Sequence, residues 1–221
     1  MNVVSLNANK GLAKHISTLQ EADVILGQEP YPHRQDESGQ AQNLFPGYHV
    51  TAERYLVTLS RQPHEVVHRS DSLIVTKHEG GLVLGNVYIH PGSNGGHRAA
   101  QLENVLEYVR QEDAVMNLMV GDWNLAPSEE DGWNGRAPSK YTTKRERTLF
   151  QAIMDVTGLD DLGARMRWAS TFEQTMHGKL IAFRCDLALA RPSEWTLTYD
   201  HTTRTGSGPA DHSMLMLRRE A

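Results

Sequence analysis

The chain has 221 residues, of which 39% are hydrophobic and 22% charged, and its formal net charge is −5 at pH 7. That length and apolar content support one domain spanning 1–221 and exclude a disordered chain. The acidic balance excludes a protein whose affinity rests mainly on neutralising many phosphates, so any nucleic-acid binding must be local or carried through a metal.

Asn2–Asn7 reads as a short apolar strand, and Asp23–Gly27 as a second one ending at Gln28-Glu29. Tyr55–Leu59 and Val66–Val67 read as strands of a meander. Ser72–Thr76 and Leu82–Ile89 flank Glu79-Gly80-Gly81, a hairpin signal. His97–Glu112 follows as a helix, because Leu102, Val105, Leu106 and Val109 recur at helical spacing. Asn117–Gly121 is a buried strand. Thr143-Lys144-Arg145-Glu146 is a capping-box pattern opening a helix whose stripe is Leu149, Phe150, Ile153 and Met154, and Gly158 is its natural stop. Phe183–Leu189, Trp195–Thr198 and Ser213–Leu217 close the chain as strands. Strands interspersed with helices, with no linker between them, predict an α/β layered sandwich.

The single cysteine, Cys185, excludes an internal disulfide. The N-terminus lacks the basic segment and apolar run of a signal peptide, and no stretch is long enough to span a bilayer. The expectation is a cytoplasmic enzyme, monomeric, with no membrane contact and no disulfide-linked partner.

Polar residues recur at strand ends: Asn7, Gln28-Glu29, Asp122-Trp123-Asn124, Asp186 and Asp211-His212 each sit in or beside an apolar run. A carboxylate ending a strand stands at the rim of a sheet, and several such ends converging make an acidic pocket. Hard oxygen ligands of this kind suit Mg²⁺. Taken singly, these motifs have plainer explanations, since Asp and Asn also favour turns.

Five short motifs in one order resemble the endonuclease/exonuclease/phosphatase superfamily. They are Ser5-Leu6-Asn7 with Asn9, Gly27-Gln28-Glu29, Gly121-Asp122-Trp123-Asn124, Asp186 in Arg184-Cys185-Asp186-Leu187, and Ala210-Asp211-His212. The resemblance spans essentially the whole chain. It implies a four-layer α/β sandwich, in which two packed mixed or antiparallel sheets are flanked by helices. Ala52-Glu53-Arg54-Tyr55-Leu56 and Tyr88-Ile89-His90-Pro91 are most similar to pancreatic-type deoxyribonucleases. Ala210 stands where the family usually has serine, and Asn9 where the secreted enzymes have arginine.

The resemblance implies a metal-dependent phosphodiester hydrolase, an endonuclease cutting DNA to 3′-hydroxyl and 5′-phosphate ends. Glu29, Asn7 and Asp211 would hold Mg²⁺, with Mn²⁺ as a substitute. Two histidine–carboxylate pairs, His90 with Glu53 and His212 with Asp186, would serve catalysis with Asp122 and Asn124. Tyr88, Asn9, Arg136, Tyr141 and Lys144 would contact substrate, the last three from a basic and aromatic stretch suited to stacking and phosphate contact. Two alternatives remain: a phosphatase or phosphodiesterase acting on a nucleotide, inositol phosphate or lipid headgroup, and a catalytically silent binding module of the same fold.

Overall fold

The computed structural model describes all residues except 32–36, 93–94, 112–114, 136, 139, 167–169, 206–210 and 220–221. Its framework is two six-stranded mixed sheets. The first has the strand order Trp195–Asp200, Met214–Arg219, Asn2–Asn7, Val24–Gln28, Leu56–Ser60, His49–Glu53. The second has the order Asp160–Asp161, Asp186–Ala190, Leu118–Asp122, Val83–Tyr88, Leu73–Lys77, Glu65–Ser70.

The central strands are apolar on both faces because both faces are covered, so they read as continuous runs rather than alternations. Val3, Val24 and Leu26 of the first sheet meet Leu84, Leu118, Val120 and Ala188 of the second between the layers. The alternate residues Val4, Leu6, Ile25, Val57 and Leu59 turn outward beneath Leu19, Ala41, Phe45 and Tyr48. On the far side, Val75, Val87, Met119 and Leu189 are covered by Leu102, Val105, Phe150 and Ile153 of the helices Gly95–Val109 and Lys144–Thr157. Helices thus flank two packed sheets, giving the four layers expected.

The second long helix begins as its sequence dictates. Thr143 Oγ1 accepts from the Glu146 amide, the Glu146 carboxylate accepts from the Thr143 amide, and Gly158 ends the helix at φ 64°. The first long helix runs Gly95–Val109 rather than His97–Glu112, whose last residue lies outside those described.

Several elements depart from expectation. Residues Phe183–Leu189 do not form one strand: Lys179–Phe183 ends and Asp186–Ala190 begins after a break at Arg184-Cys185. Lys179–Phe183 instead belongs to a four-stranded sheet ordered Ala137–Pro138, Gly132–Asn134, Lys179–Phe183, Phe172–Met176. His49–Glu53 is a further edge strand, and Glu37–Leu44 a further helix.

Strand direction positions the site. Asn2–Asn7 is parallel to Val24–Gln28, and Val83–Tyr88 is parallel to Leu118–Asp122. Asn7, Gln28, Tyr88 and Asp122 therefore end their strands at one rim. The antiparallel strand Asp186–Ala190 begins there, with Asp186 opposite Asp122.

Candidate active site

At this rim an amide from the first sheet reaches the second. Asn7 Nδ2 donates to Asp122 Oδ2 at 2.9 Å and to Glu29 Oε1 at 3.3 Å. Glu29 Oε1 also accepts from the Tyr88 hydroxyl at 2.8 Å. Burial, then the Glu29 and Asp122 carboxylates, push the Tyr88 phenol far above its ordinary pKa, so it stays a donor. Glu29 Oε2 takes no hydrogen bond among the described residues.

The second cluster is built on Asp122. Its Oδ1 accepts from the Asn124 amide at 2.8 Å, and its Oδ2 from Asn124 Nδ2 at 2.8 Å. Asp186 holds His212: Nδ1 of the ring lies 2.9 Å from Asp186 Oδ2 and 3.1 Å from Oδ1. Burial disfavours a charged ring, but the Asp186 and Asp122 carboxylates outweigh it and hold the His212 pKa well above the ordinary imidazole value. Burial pushes Asp122 up to about 7, against the opposing pull of His212 and of its hydrogen bonds from Asn7 and Asn124.

Backbone geometry explains the motif residues. Gly121 has φ 151°, and a Cβ there would lie 2.0 Å from the Val87 carbonyl oxygen, so no side chain fits before Asp122. Trp123 is buried in the core against Phe150, leaving Asp122 and Asn124 on either side of it to line the cleft. Asn9, Glu29 and Asn124 all adopt positive φ (39°, 45° and 47°), a strained conformation for residues with side chains. That three such residues share one cleft is the pattern of a functional site.

The cleft has a volume of about 570 Å³. Asn9, Glu29, Asp122, Asn124, Asp211 and His212 line its polar side. Phe172, Met176, Ile181 and Phe183 of the small sheet, with Leu125, make an apolar wall, and Lys140 and Tyr141 stand beside it. Asp211 is 43% exposed, and its Oδ1 is 4.0 Å from His212 Nε2.

Several expected site residues are placed elsewhere. Glu53 does not pair with His90; it ends an edge strand and faces Arg69 at 3.3 Å. His90 Nδ1 accepts from the Gly92 amide at 3.3 Å, and its ring lies against Tyr55 and Tyr88. Pro91, not His90, lines the cleft. Tyr88, expected to touch substrate, is buried with its hydroxyl given to Glu29. Lys144 is an exposed first residue of its helix and does not line the cleft. Arg136 lies outside the described residues. Thr171 is buried and its hydroxyl accepts from the Cys185 and Asp186 amides, which shapes the break before Asp186.

Two arginines escaped sequence reasoning. Arg98 is buried, forks onto Glu146 at 2.7 and 3.2 Å, donates to the carbonyls of Pro91 and Tyr141, and lies 4.0 Å over the Tyr141 ring. It ties two cleft-lining residues to the helix start, and the capping Glu146 was its only trace in the sequence. Arg184, within the break before Asp186, forks onto both Asp131 and Asp161.

No family model matches the chain, and no curated protein does either. Among solved structures it is similar to the 3′ phosphatase NExo from Neisseria bound to a product DNA hairpin, at 19% identity and a TM-score of 0.77, with 100% of both chains covered. It is similar to an AP endonuclease from Archaeoglobus fulgidus at 18% identity and a TM-score of 0.76, again with 100% of each chain covered. A protein of the endonuclease/exonuclease/phosphatase family from Bacteroides thetaiotaomicron matches at 12% identity and a TM-score of 0.58, covering 98% of this chain and 96% of that one. The chain therefore has the fold of the endonuclease/exonuclease/phosphatase proteins, as its motif order led one to expect.

Proposed function

We propose that this chain is a metal-dependent phosphodiester hydrolase that cuts nucleic acid, with DNA the favoured substrate and 3′-hydroxyl and 5′-phosphate ends the products. The observation that carries this reading is the 2.9 Å Asn7–Asp122 bond, which joins a Tyr88–Glu29 cluster to an Asp122–His212–Asp186 cluster in one cleft. Structural relatives described as a DNA-bound 3′ phosphatase and an AP endonuclease support nucleic acid as the substrate.

The donor chemistry fits a hard divalent cation. Glu29 has one oxygen fixed by Tyr88 and Asn7 and the other without a protein partner among the described residues. Asp211 adds a second carboxylate on the same cleft. Oxygen donors of this kind suit Mg²⁺, with Mn²⁺ able to substitute. Bound there, the cation would neutralise charge on the scissile phosphate and its leaving oxygen.

The remaining steps belong to the protein. Asp186 accepts from His212 Nδ1–H, fixing the ring's orientation and tautomer. His212, held protonated by the two carboxylates, donates from Nε2 to a phosphate oxygen as charge builds there. Asp122, with its pKa near 7, orients the attacking water and takes its proton. Asn124 has a second amide hydrogen for a phosphate oxygen, and Asn9 and Tyr141 flank the bound strand from the cleft wall. His90 and Glu53, lacking each other's company, have no step here.

The experiment is a gel-based cleavage assay across duplex, single-stranded and abasic DNA, and RNA, with Mg²⁺ and with chelator. Metal-dependent cleavage that is lost in Asp122→Ala is the expected result. No cleavage at any metal tried, or cleavage unaffected by Asp122→Ala, overturns the reading. The apolar wall of Phe172, Met176, Ile181 and Phe183 favours a second reading, a small phosphate ester whose apolar part fills the cleft. Turnover of small esters without any polynucleotide cleavage would select it.

A further inference from the structure

Cys185 is the chain's only cysteine, and it takes no step in the hydrolysis set out above. It nevertheless lies in the cleft with two residues that do. A carboxylate oxygen of Asp122, Cys185 Sγ and a ring nitrogen of His212 all lie within 4.8 Å of one another, and all three residues are buried.

The chemistry of this trio differs from that of Glu29 and Asp211. One sulfur, one imidazole nitrogen and one carboxylate oxygen suit Zn²⁺ and similar thiophilic cations, whereas Mg²⁺ prefers oxygen alone. His212 also has the outer support that such a site needs. Its Nδ1 is bound to Asp186, which leaves Nε2 as the ligand atom. A carboxylate behind a ligating histidine is the usual outer arrangement at zinc.

The backbone under the trio is fixed. The Cys185 amide donates to Thr171 Oγ1 at 3.1 Å, and the Cys185 carbonyl accepts from the Trp123 amide at 2.9 Å, which ties the cysteine to the Asp122 turn. Zinc–sulfur and zinc–nitrogen bonds run to about 2.3 and 2.0 Å, so one cation suits donor atoms clustered this closely.

We propose that Asp122, Cys185 and His212 form a binding site for a thiophilic divalent cation such as Zn²⁺, and that its occupancy shuts off the hydrolytic centre. The thiol proton and the Nε2 proton of His212 leave to solvent as the bonds to sulfur and nitrogen form, Nδ1–H stays on Asp186, and water fills the fourth position. Asp122 and His212 are then withdrawn from attack on phosphate. The inhibitory half of the proposal rests on the hydrolytic reading; the binding half does not.

The test uses the full chain, freed of metal and titrated with Co²⁺. One equivalent should produce thiolate-to-cobalt absorption in the near ultraviolet, and one equivalent of Zn²⁺ should abolish it. Asp186→Asn, which alters no ligand, should weaken metal binding by about 10–100-fold, with thermal melting to verify that the variant is folded. Absence of the band at one equivalent overturns the site. So does an affinity unchanged in both Asp186→Asn and His212→Gln, since the cysteine would then bind cobalt without the other two groups. In the Mg²⁺ cleavage assay, Zn²⁺ should inhibit the native chain far more strongly than Cys185→Ser; equal inhibition of the two overturns the regulatory half. A band at one equivalent with no cleavage under any condition sinks the hydrolytic reading and leaves the metal site standing. Cleavage without a band does the reverse.

Discussion

Replacing Arg184 by methionine should cost the fold more than any change at the cleft surface. The guanidinium makes two forked contacts: Nε and Nη2 to Asp131 at 2.6 and 3.1 Å, and Nη1 and Nη2 to Asp161 at 3.0 and 2.8 Å. All three side chains are at most 10% exposed. Methionine fills much of the volume but leaves two buried carboxylates without a partner, and breaking a buried pair in this way costs about 3–5 kcal/mol. For a chain of this size each kcal/mol corresponds to roughly 2–4 °C, so the melting temperature should fall by roughly 6–20 °C. The assay is paired thermal and urea unfolding of the native chain, Arg184→Met, and the triple variant Arg184→Met/Asp131→Asn/Asp161→Asn. The triple variant should recover much of the loss, because it removes the stranded charges. A single-variant loss below about 1 kcal/mol, or a triple variant no more stable than the single, would refute the reasoning.

Three further outcomes follow from the same geometry. Asp186→Asn should leave the fold intact and lower kcat by about 10²–10⁴-fold, since the ring of His212 loses both its orienting acceptor and its stabilising charge; single-turnover kinetics on the folded variant measures this, and a wild-type rate contradicts it. Gly121→Ala should destabilise by more than about 2 kcal/mol, because its Cβ would meet the Val87 carbonyl at 2.0 Å; a urea midpoint unchanged from the native chain would show that the strand accommodates it. Burial and the neighbouring His64 hold His78 down at about 4. The unfolded chain then binds more protons between pH 4 and the ordinary histidine value, so this stability is present above about pH 6.5 and is lost as pH falls. Between about pH 7 and pH 5 the loss from His78 should be about 2 kcal/mol, and His78→Gln should flatten that part of the stability–pH curve.

The parts of the fold legible in the sequence are those where one local rule acts alone. Asn2–Asn7 is apolar on both faces because it lies between two covered layers. Thr143, Glu146 and Gly158 mark the ends of their helix through caps that need only neighbouring residues. The small sheet was missed because its strands Phe172–Met176 and Lys179–Phe183 present polar and exposed residues alternating with the cleft wall, a weak apolar signal. The break at Arg184-Cys185 was missed because what enforces it is distant in sequence: Asp131, Asp161 and the Thr171 hydroxyl.

At the site the same distinction holds. Glu29, Asp122, Asp186 and His212 could be picked out because each ends or begins an apolar strand, and strand order brings those ends together. The Glu53–His90 pairing could not be tested in that way. Glu53 ends an edge strand, and only the three-dimensional arrangement reveals that Arg69 of another edge strand faces it. The resemblance implies a substrate contact for Tyr88, but the parallel register with Asp122 carries its hydroxyl inward to Glu29. Arg98 left the capping Glu146 as its trace, since the carbonyls of Pro91 and Tyr141 that it also binds carry no motif.

The most direct test of the account is cleavage of a radiolabelled DNA duplex by the native chain and by Asp122→Asn, with Mg²⁺ and after chelation. Metal-dependent scission by the native chain is expected, with products bearing 5′-phosphate and 3′-hydroxyl and a loss of at least about 10²-fold in the variant. Scission that survives chelation, or that proceeds equally in Asp122→Asn, would contradict it.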